Sequence, residues 1–218
     1  VNAWYEMHKR YGKLEFEKLF ITAEYYAREG FPVHEIEAFH WKKNEEKLKK
    51  NKITKENFLK NNKAPLFGSK FKNIKLAETL ASIGKKGSKA FYEGYIAKDM
   101  VVSLNNLGGL HTEEDFYNQS TIFSDTLISN YKNYNIHQCP PNGPGIIVHL
   151  MMKLLQKFDW NNINYNDSVR FHIQAEVTKI CFEVKETILG DPNFNNIDIN
   201  NLMSNEFINN LFKKINLD

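Results

Sequence analysis

The chain has 218 residues, 42% of them hydrophobic and 25% charged, an ordinary composition for a globular protein large enough to bury a core. No apolar run approaches the roughly 18 residues of a membrane-spanning helix, so no membrane partner is expected. The net charge of +3 rests on 26 Lys and only 3 Arg, and nucleic-acid sites favour Arg for bidentate contacts, so nucleic acid is not an expected partner either.

Val1, not Met, opens the chain, which reads as a processed or excised product. Its first residues form an amphipathic helical pattern and not a signal peptide, and the compartment is left unassigned. Trp4, Tyr5 and Tyr11 cluster there as a core or interface face. Phe16, Leu19, Phe20, Ala23, Tyr26 and Ala27 recur at helical spacing until Gly30-Phe31-Pro32 stops the helix. A lysine-rich helical region is predicted over 34–89, with a helix running into it from about His34. Within it, residues 42–89 hold 15 Lys against 4 Glu, a local balance of +11. Thr54 reads as the N-cap of a short helix holding Phe58 and Leu59, and 61–68 as a polar surface loop. Leu76, Leu80 and Ile83 line one face of a helix that ends at Gly84 or Gly87. Ser88 then caps a helix whose apolar face is Phe91, Tyr92, Ile96 and Met100. Thr112 and Asp115 have the spacing of a capping box, with aspartate in place of the usual glutamate.

Between about 120 and 138 the pattern changes. Ile122, Leu127, Ile128, Tyr134 and Ile136 sit in β-favouring runs around 130–133, predicting a hairpin or irregular β segment. Cys139-Pro-Pro-Asn-Gly-Pro-Gly-Ile146 follows. Proline fixes φ and removes donors, while Gly143 and Gly145 permit backbone angles closed to other residues, so the run reads as a rigid entry into a helix over 145–158. Pro144 is expected at or just before the first helical position and Gly145 in the first turn. Asn142 is then free to cap the helix or face a cavity, and a positive φ at Gly143 would strain any larger residue there. The helical C-terminal part covers 145–215. Asp167 or Ser168 caps a long helix with the stripe Val169, Ile173, Val177, Ile180 and Val184, and Gly190-Asp191-Pro192 ends it. Ser204 caps a last helix carrying Phe207, Ile208, Leu211 and Phe212. The expected fold class is mostly α-helical with a small β hairpin.

These segments also carry a family resemblance. Ala3-Trp4-Tyr5 with His8-Lys9-Arg10-Tyr11-Gly12 comes first, then Ala27-Arg28-Glu29-Gly30-Phe31-Pro32-Val33. Leu76-Ala77 and Thr79-Leu80 follow, with Gly87, Phe91-Tyr92, Gly94 and Ile96-Ala97. Gly108-Gly109, Asp115, Pro140-Pro141, Glu176 and Gly190-Asp191-Pro192 complete the series. In this order they resemble, nearly end to end, the large-subunit region of the γ-glutamyltransferase family of N-terminal nucleophile hydrolases. The resemblance implies a helix-rich part of an αββα fold. Its partners would be the rest of the large subunit and a small catalytic subunit, and the parent's substrate a small-molecule amide. In that family the precursor cleaves itself, and a newly exposed threonine becomes the nucleophile, its own α-amine serving as base. By the same resemblance that threonine falls downstream of Asp218 and the substrate-gripping arginine upstream of Val1. No catalytic residue carries over to this chain, and alone it is expected to be inactive. The Pro140–Gly145 loop is more similar to the branch acting on other amides and acyl groups, such as oxamate amidohydrolase relatives. Val184-Lys185 stands where the family has Asp-Arg, which leaves open whether glutathione is the substrate. The resemblance makes the loop, through Asn142, Gly143 and Gly145, a rim near the substrate cavity.

Other constellations are weaker. His172 and Glu176 lie four apart on one predicted helix, yet zinc needs a third protein ligand, so a structural hydrogen-bonded pair is expected and no metal. Cys139 and Cys181 read as free, mostly buried thiols, and His137 near Cys139 does not by itself make a nucleophile–base pair. No lysine follows Gly145 in the phosphate-loop pattern, so no nucleotide and no other cofactor is expected. The alternative function is a freestanding helical interaction module whose basic face binds an acidic partner. An isolated segment is expected to self-associate through an exposed patch around Trp4, Tyr5 and Tyr11.

Overall fold

The computed structural model describes residues 1–217, which form two compact units divided after Thr121. Both are mostly helical.

The first unit opens with α1 (Asn2–Tyr11), a 3-10 turn (Phe16–Leu19) and α2 (Ile21–Glu29). The single helix predicted through Phe16–Ala27 is thus two, joined at Phe20, whose ring is buried against Phe16 at 4.9 Å. A two-residue strand, β1 (Phe31–Pro32), pairs antiparallel with β2 (Lys70–Phe71). The lysine-rich stretch between them is not one long helix. It breaks into α3 (Glu35–Lys43), α4 (Glu45–Lys49) and α5 (Lys52–Phe58). Asn44 stops α3 by donating from Nδ2 to the His40 carbonyl at 2.8 Å. Asn51, not Thr54, caps α5: its Oδ1 accepts from Ile53 N at 2.8 Å and Thr54 N at 3.1 Å. Asparagine leads the N-cap ranking because its short side chain reaches the orphan donors. The Thr54 hydroxyl turns back instead to the Leu48 and Asn51 carbonyls.

A carboxylate ties α3, α4 and the loop after α5 together. Glu45 is 7% exposed and forms ion pairs with Lys42 and Lys49, both at 3.0 Å. It also accepts the Ala64 N–H at 2.9 Å, tying the 61–68 loop to α4. That backbone donor first, and the two lysines after it, pull the Glu45 carboxyl down to about 2.

α6 (Ile74–Lys86) starts at an Asn73 cap and ends at Gly87. It buries Ala77, Ile83 and Gly84 and packs against α2; Leu76, predicted on that face, is exposed. Ile83 joins Phe20 and Ala90 in a small core, with Phe16, Leu80 and Phe91 packed against it. The helix predicted after Ser88 is two, α7 (Lys89–Tyr92) and α8 (Tyr95–Asn105), because Gly94 takes φ +75° between them, and Ser88 makes no side-chain cap. α9 (Glu113–Tyr117) begins with the expected capping box. Asp115 Oδ2 accepts the Thr112 N–H at 2.7 Å, and Thr112 Oγ1 accepts the Asp115 N–H at 3.3 Å.

The second unit opens with the hairpin of β3 (Leu127–Tyr131) and β4 (Tyr134–Gln138), turning through Lys132 and Asn133. Ile122 lies outside it. α10 (Gly145–Leu155), α11 (Ser168–Ile188), α12 (Ile199–Leu202) and α13 (Asn205–Phe212) complete the unit. Ile146, Leu150 and Leu154 of α10 meet Ile173, Val177 and Cys181 of α11 in a core where these six are 0–2% exposed, with Leu202, Ile208 and Leu211 closing its far side. Burying side chains of this size is worth about 1.5–3 kcal/mol each, so this interface carries the unit's stability. Asp167 caps α11, its Oδ1 accepting Val169 N at 2.9 Å. Ser204 caps α13 through Phe207 N at 3.1 Å. Among the described residues no helix is long and apolar enough to cross a membrane.

Candidate functional site

The run from Cys139 to Ile146 turns the chain from the end of β4 into α10. Pro144 sits at the N-cap with φ −77° and Gly145 is the first helical residue, as the sequence predicts. The helix stops at Leu155, short of the expected Phe158, where the Trp160 indole donates to the Leu155 carbonyl at 2.7 Å. Gly145 is buried and close to the strand it leaves. A Cβ there would lie 2.5 Å from the Cys139 carbonyl oxygen and 2.8 Å from Gln138 Cβ, so only glycine lets the helix start against the strand end.

Gly143 differs from expectation. It is not among the glycines with positive φ, and a Cβ there would meet nothing nearer than Pro140 O at 3.8 Å. The rigidity of the loop comes from its three prolines. Asn142 is exposed, and α10 has no side-chain cap.

Pro140 and Pro141 line a recess of about 260 Å³ together with Pro192, Asn195, Ile197 and Ile199. Two proline-punctuated segments some fifty residues apart thus meet on one rim. The second is held by its own turn. Asp191 accepts Asn193 N through its carboxylate at 2.9 Å, and Asn195 Nδ2 donates at 2.8 Å to the carbonyl of Ile188, the last residue of α11. Asn142, Gly143 and Gly145 are not in the lining: the recess is walled by the proline rings, with Asn142 facing solvent beside it.

One pair was not anticipated. Ser129 on β3 and His149 on α10, 6% and 0% exposed, bond Oγ to Nδ1 at 2.5 Å. His149 Nε2 has no partner. Burial holds the His149 pKa below its ordinary 6.5, partly offset by the Leu127 backbone, with Lys153 and His137 adding to the depression. A serine beside a histidine has the outline of a nucleophile and base, but both groups are shut away from substrate, and the pair serves to pin the hairpin to α10. In the sequence Ser129 is one small residue in a strand and His149 one polar residue on an apolar face. Only the fold pairs them.

The remaining candidates separate. His137 Nδ1 meets Thr126 Oγ1 at 3.0 Å, not Cys139. Cys139 is exposed while Cys181 is buried, so the two thiols do not share the expected burial. Burial alone pushes the Cys181 thiol up to about 12. His172 Nε2 donates to the Asn216 carbonyl at 3.1 Å and Glu176 pairs with Lys179, so these two side chains do not bond to each other as predicted. Among the described residues no group of three His, Cys, Asp or Glu is placed to hold a metal. Trp4 and Tyr11 are 59% and 73% exposed, and with Met7 they make an open apolar stripe on α1.

Comparison with known proteins gives a consistent result. The sequence model of the gamma-glutamyltranspeptidase family matches residues 1–218. The glutathione hydrolase-like YwrD proenzyme of Bacillus subtilis is 32% identical over 215 residues, 99% of this chain and 41% of that protein. Glutathione hydrolase proenzyme 2 of Schizosaccharomyces pombe is 32% identical over 220 residues, 98% of this chain and 36% of its own length. The chain therefore spans about two fifths of the curated relatives it matches. Among solved structures, Helicobacter pylori gamma-glutamyltranspeptidase superposes with a TM-score of 0.89 at 24% identity, covering 97% of this chain and 61% of that one. Cephalosporin acylase from Bacillus halodurans gives 0.89 at 26% identity, covering 99% and 41%.

Proposed function

The chain belongs to the gamma-glutamyltranspeptidase family, and from that premise we propose that it is the helix-rich, large-subunit scaffold of an amide-cleaving acyl hydrolase or acyltransferase. In this reading the parent protein forms an acyl-enzyme on a threonine supplied outside residues 1–218 and passes the acyl group to water or an amine. The chain itself supplies no nucleophile. It contributes a rigid rim, the Pro140–Gly145 loop, whose prolines and buried Gly145 fix where that edge stands relative to α10. The observation that carries the proposal is that the family match runs the whole length of the chain, while Pro140, Pro141 and Pro192 share one recess.

The relatives divide over substrate. One is named for glutathione and one solved neighbour for cephalosporin. The Pro-Pro-Asn-Gly-Pro-Gly loop favours an acyl amide other than glutathione, and the partners are the remainder of the large subunit and a small catalytic subunit.

The test is to express the natural reading frame that contains these residues and compare γ-glutamyl anilide, glutathione and oxamate as substrates. Self-cleavage into two chains and turnover of at least one amide are expected. A full reading frame that neither cleaves itself nor hydrolyses any amide would overturn the proposal.

A further inference from the structure

We propose that Asn142–Gly143 is a self-modification site, at which the loop closes to a succinimide and reopens as aspartate or isoaspartate. Of the 27 asparagines in the chain, Asn142 alone is followed by glycine. That neighbour decides the chemistry, because a side chain on the following residue shields its backbone nitrogen, and glycine has none. The fold leaves both reacting groups unspent. Asn142 is exposed and α10 takes no side-chain cap, so its amide is not tied to the helix. Among the described residues the Gly143 N–H makes no backbone hydrogen bond. Even a Cβ built on Gly143 would meet nothing nearer than Pro140 O at 3.8 Å, so the nitrogen has room to turn. Other asparagines are committed: Asn44, Asn51, Asn73 and Asn195 hold helix ends through their side chains, and each precedes a larger residue.

The step balances with water alone. The Gly143 nitrogen gives up its proton to solvent and attacks Asn142 Cγ; the Cγ–Nδ2 bond breaks, and ammonia leaves after taking up a proton. Water then opens the imide. Cleavage of the new Cγ–N bond restores the backbone and leaves aspartate. Cleavage at the Asn142 main-chain carbonyl carbon leaves isoaspartate, with one methylene added to the backbone. The two products act differently on α10. Aspartate sets a negative charge just ahead of the helix N-terminus, where the dipole favours it. Isoaspartate lengthens the chain beside buried Gly145, where the fit is so close that a Cβ would stand 2.5 Å from the Cys139 carbonyl oxygen, so it displaces the helix start. The closure is intramolecular and needs no surface left open to a partner. It also stands apart from the acyl-transfer reading, because no catalytic residue takes part in it.

Ageing the folded 218-residue chain, and the natural reading frame that contains it, in neutral and mildly alkaline buffer tests the proposal. Peptide mass mapping should show a gain of one mass unit at Asn142 before any other asparagine, as a mixture of aspartyl and isoaspartyl peptides. The rate should rise with pH, because the deprotonated nitrogen is the attacking species. Asn142→Gln, whose longer side chain closes only a less favoured six-membered ring, should keep its mass. Gly143→Ala should fold as the parent does and be modified at least about tenfold more slowly, because its Cβ shields the nitrogen. The isoaspartyl fraction should unfold at lower urea than the Asn142→Asp variant. Modification that starts at another asparagine, or a Gly143→Ala rate equal to the parent's, would overturn the proposal. So would modification confined to the shorter chain, since the loop would then be covered in the parent.

Discussion

At the scale of single residues, the two glycines of the Pro-Pro loop separate by what surrounds them. Gly145→Ala drives a Cβ to within 2.5 Å of the Cys139 carbonyl oxygen, a backbone atom that cannot swing aside. The cost expected is about 1–3 kcal/mol, the usual range for overpacking. Gly143→Ala meets nothing closer than 3.8 Å at an ordinary φ, and is expected within about 0.5 kcal/mol of the parent. Urea melts of the two variants decide this, and equal losses would contradict the geometry. The cysteines provide a second test. Cys139 is exposed and should react with a thiol reagent in the native protein, whereas Cys181, raised to about 12 by burial, should react only after unfolding. Two fast-reacting thiols under native conditions would contradict the burial of α11. Neither difference is legible in the sequence. Gly143 and Gly145 look alike as letters, and the strand end that crowds one of them is placed by tertiary packing.

At the scale of elements, caps and stripes were readable because their causes are local. Thr112–Asp115, Asp167 and Ser204 each satisfy donors within three residues, and the α11 stripe recurs at the helical period from Ile173 to Val184, although Val169, predicted to begin it, is exposed. Asp167→Ala should therefore cost about 1 kcal/mol, measured as a lowered denaturation midpoint for the second unit. Breaks were less readable. The lysine-rich stretch divides at Asn44 and at the Asn51 cap, while the bond from the Ala64 N–H to Glu45 that anchors α4 spans nineteen residues, and no local pattern announces it.

The Ser129–His149 pair is likewise non-local, and it gives the second unit a pH dependence with a definite sign. His149 binds a proton less readily folded than unfolded, so its contribution is complete above the ordinary 6.5 and is lost as pH falls below that value toward the depressed folded one. The second unit should lose stability as pH falls below 6.5, and His149→Gln, which cannot be charged, should flatten that loss. Parallel losses in parent and variant would show that another group titrates.

At the scale of the molecule, the mostly helical class and the hairpin near 127–138 follow from period and propensity, and the family membership from motifs in register. The division after Thr121 into two units, each with its own core, has no compositional linker to mark it. The recess shared by Pro140, Pro141 and Pro192 has a similar status: both proline segments are conspicuous as punctuation, but their meeting is made by α10 and α11 packing side by side.

The central claim is that these residues position an acyl-transfer site without supplying its reacting atoms. Assay of the purified 218-residue chain against γ-glutamyl anilide and oxamate, with intact-mass analysis for an acyl adduct, tests it most directly. No turnover and an unmodified mass are expected. Hydrolysis that follows the chain through purification, together with an acyl adduct on one of its own side chains, would contradict it.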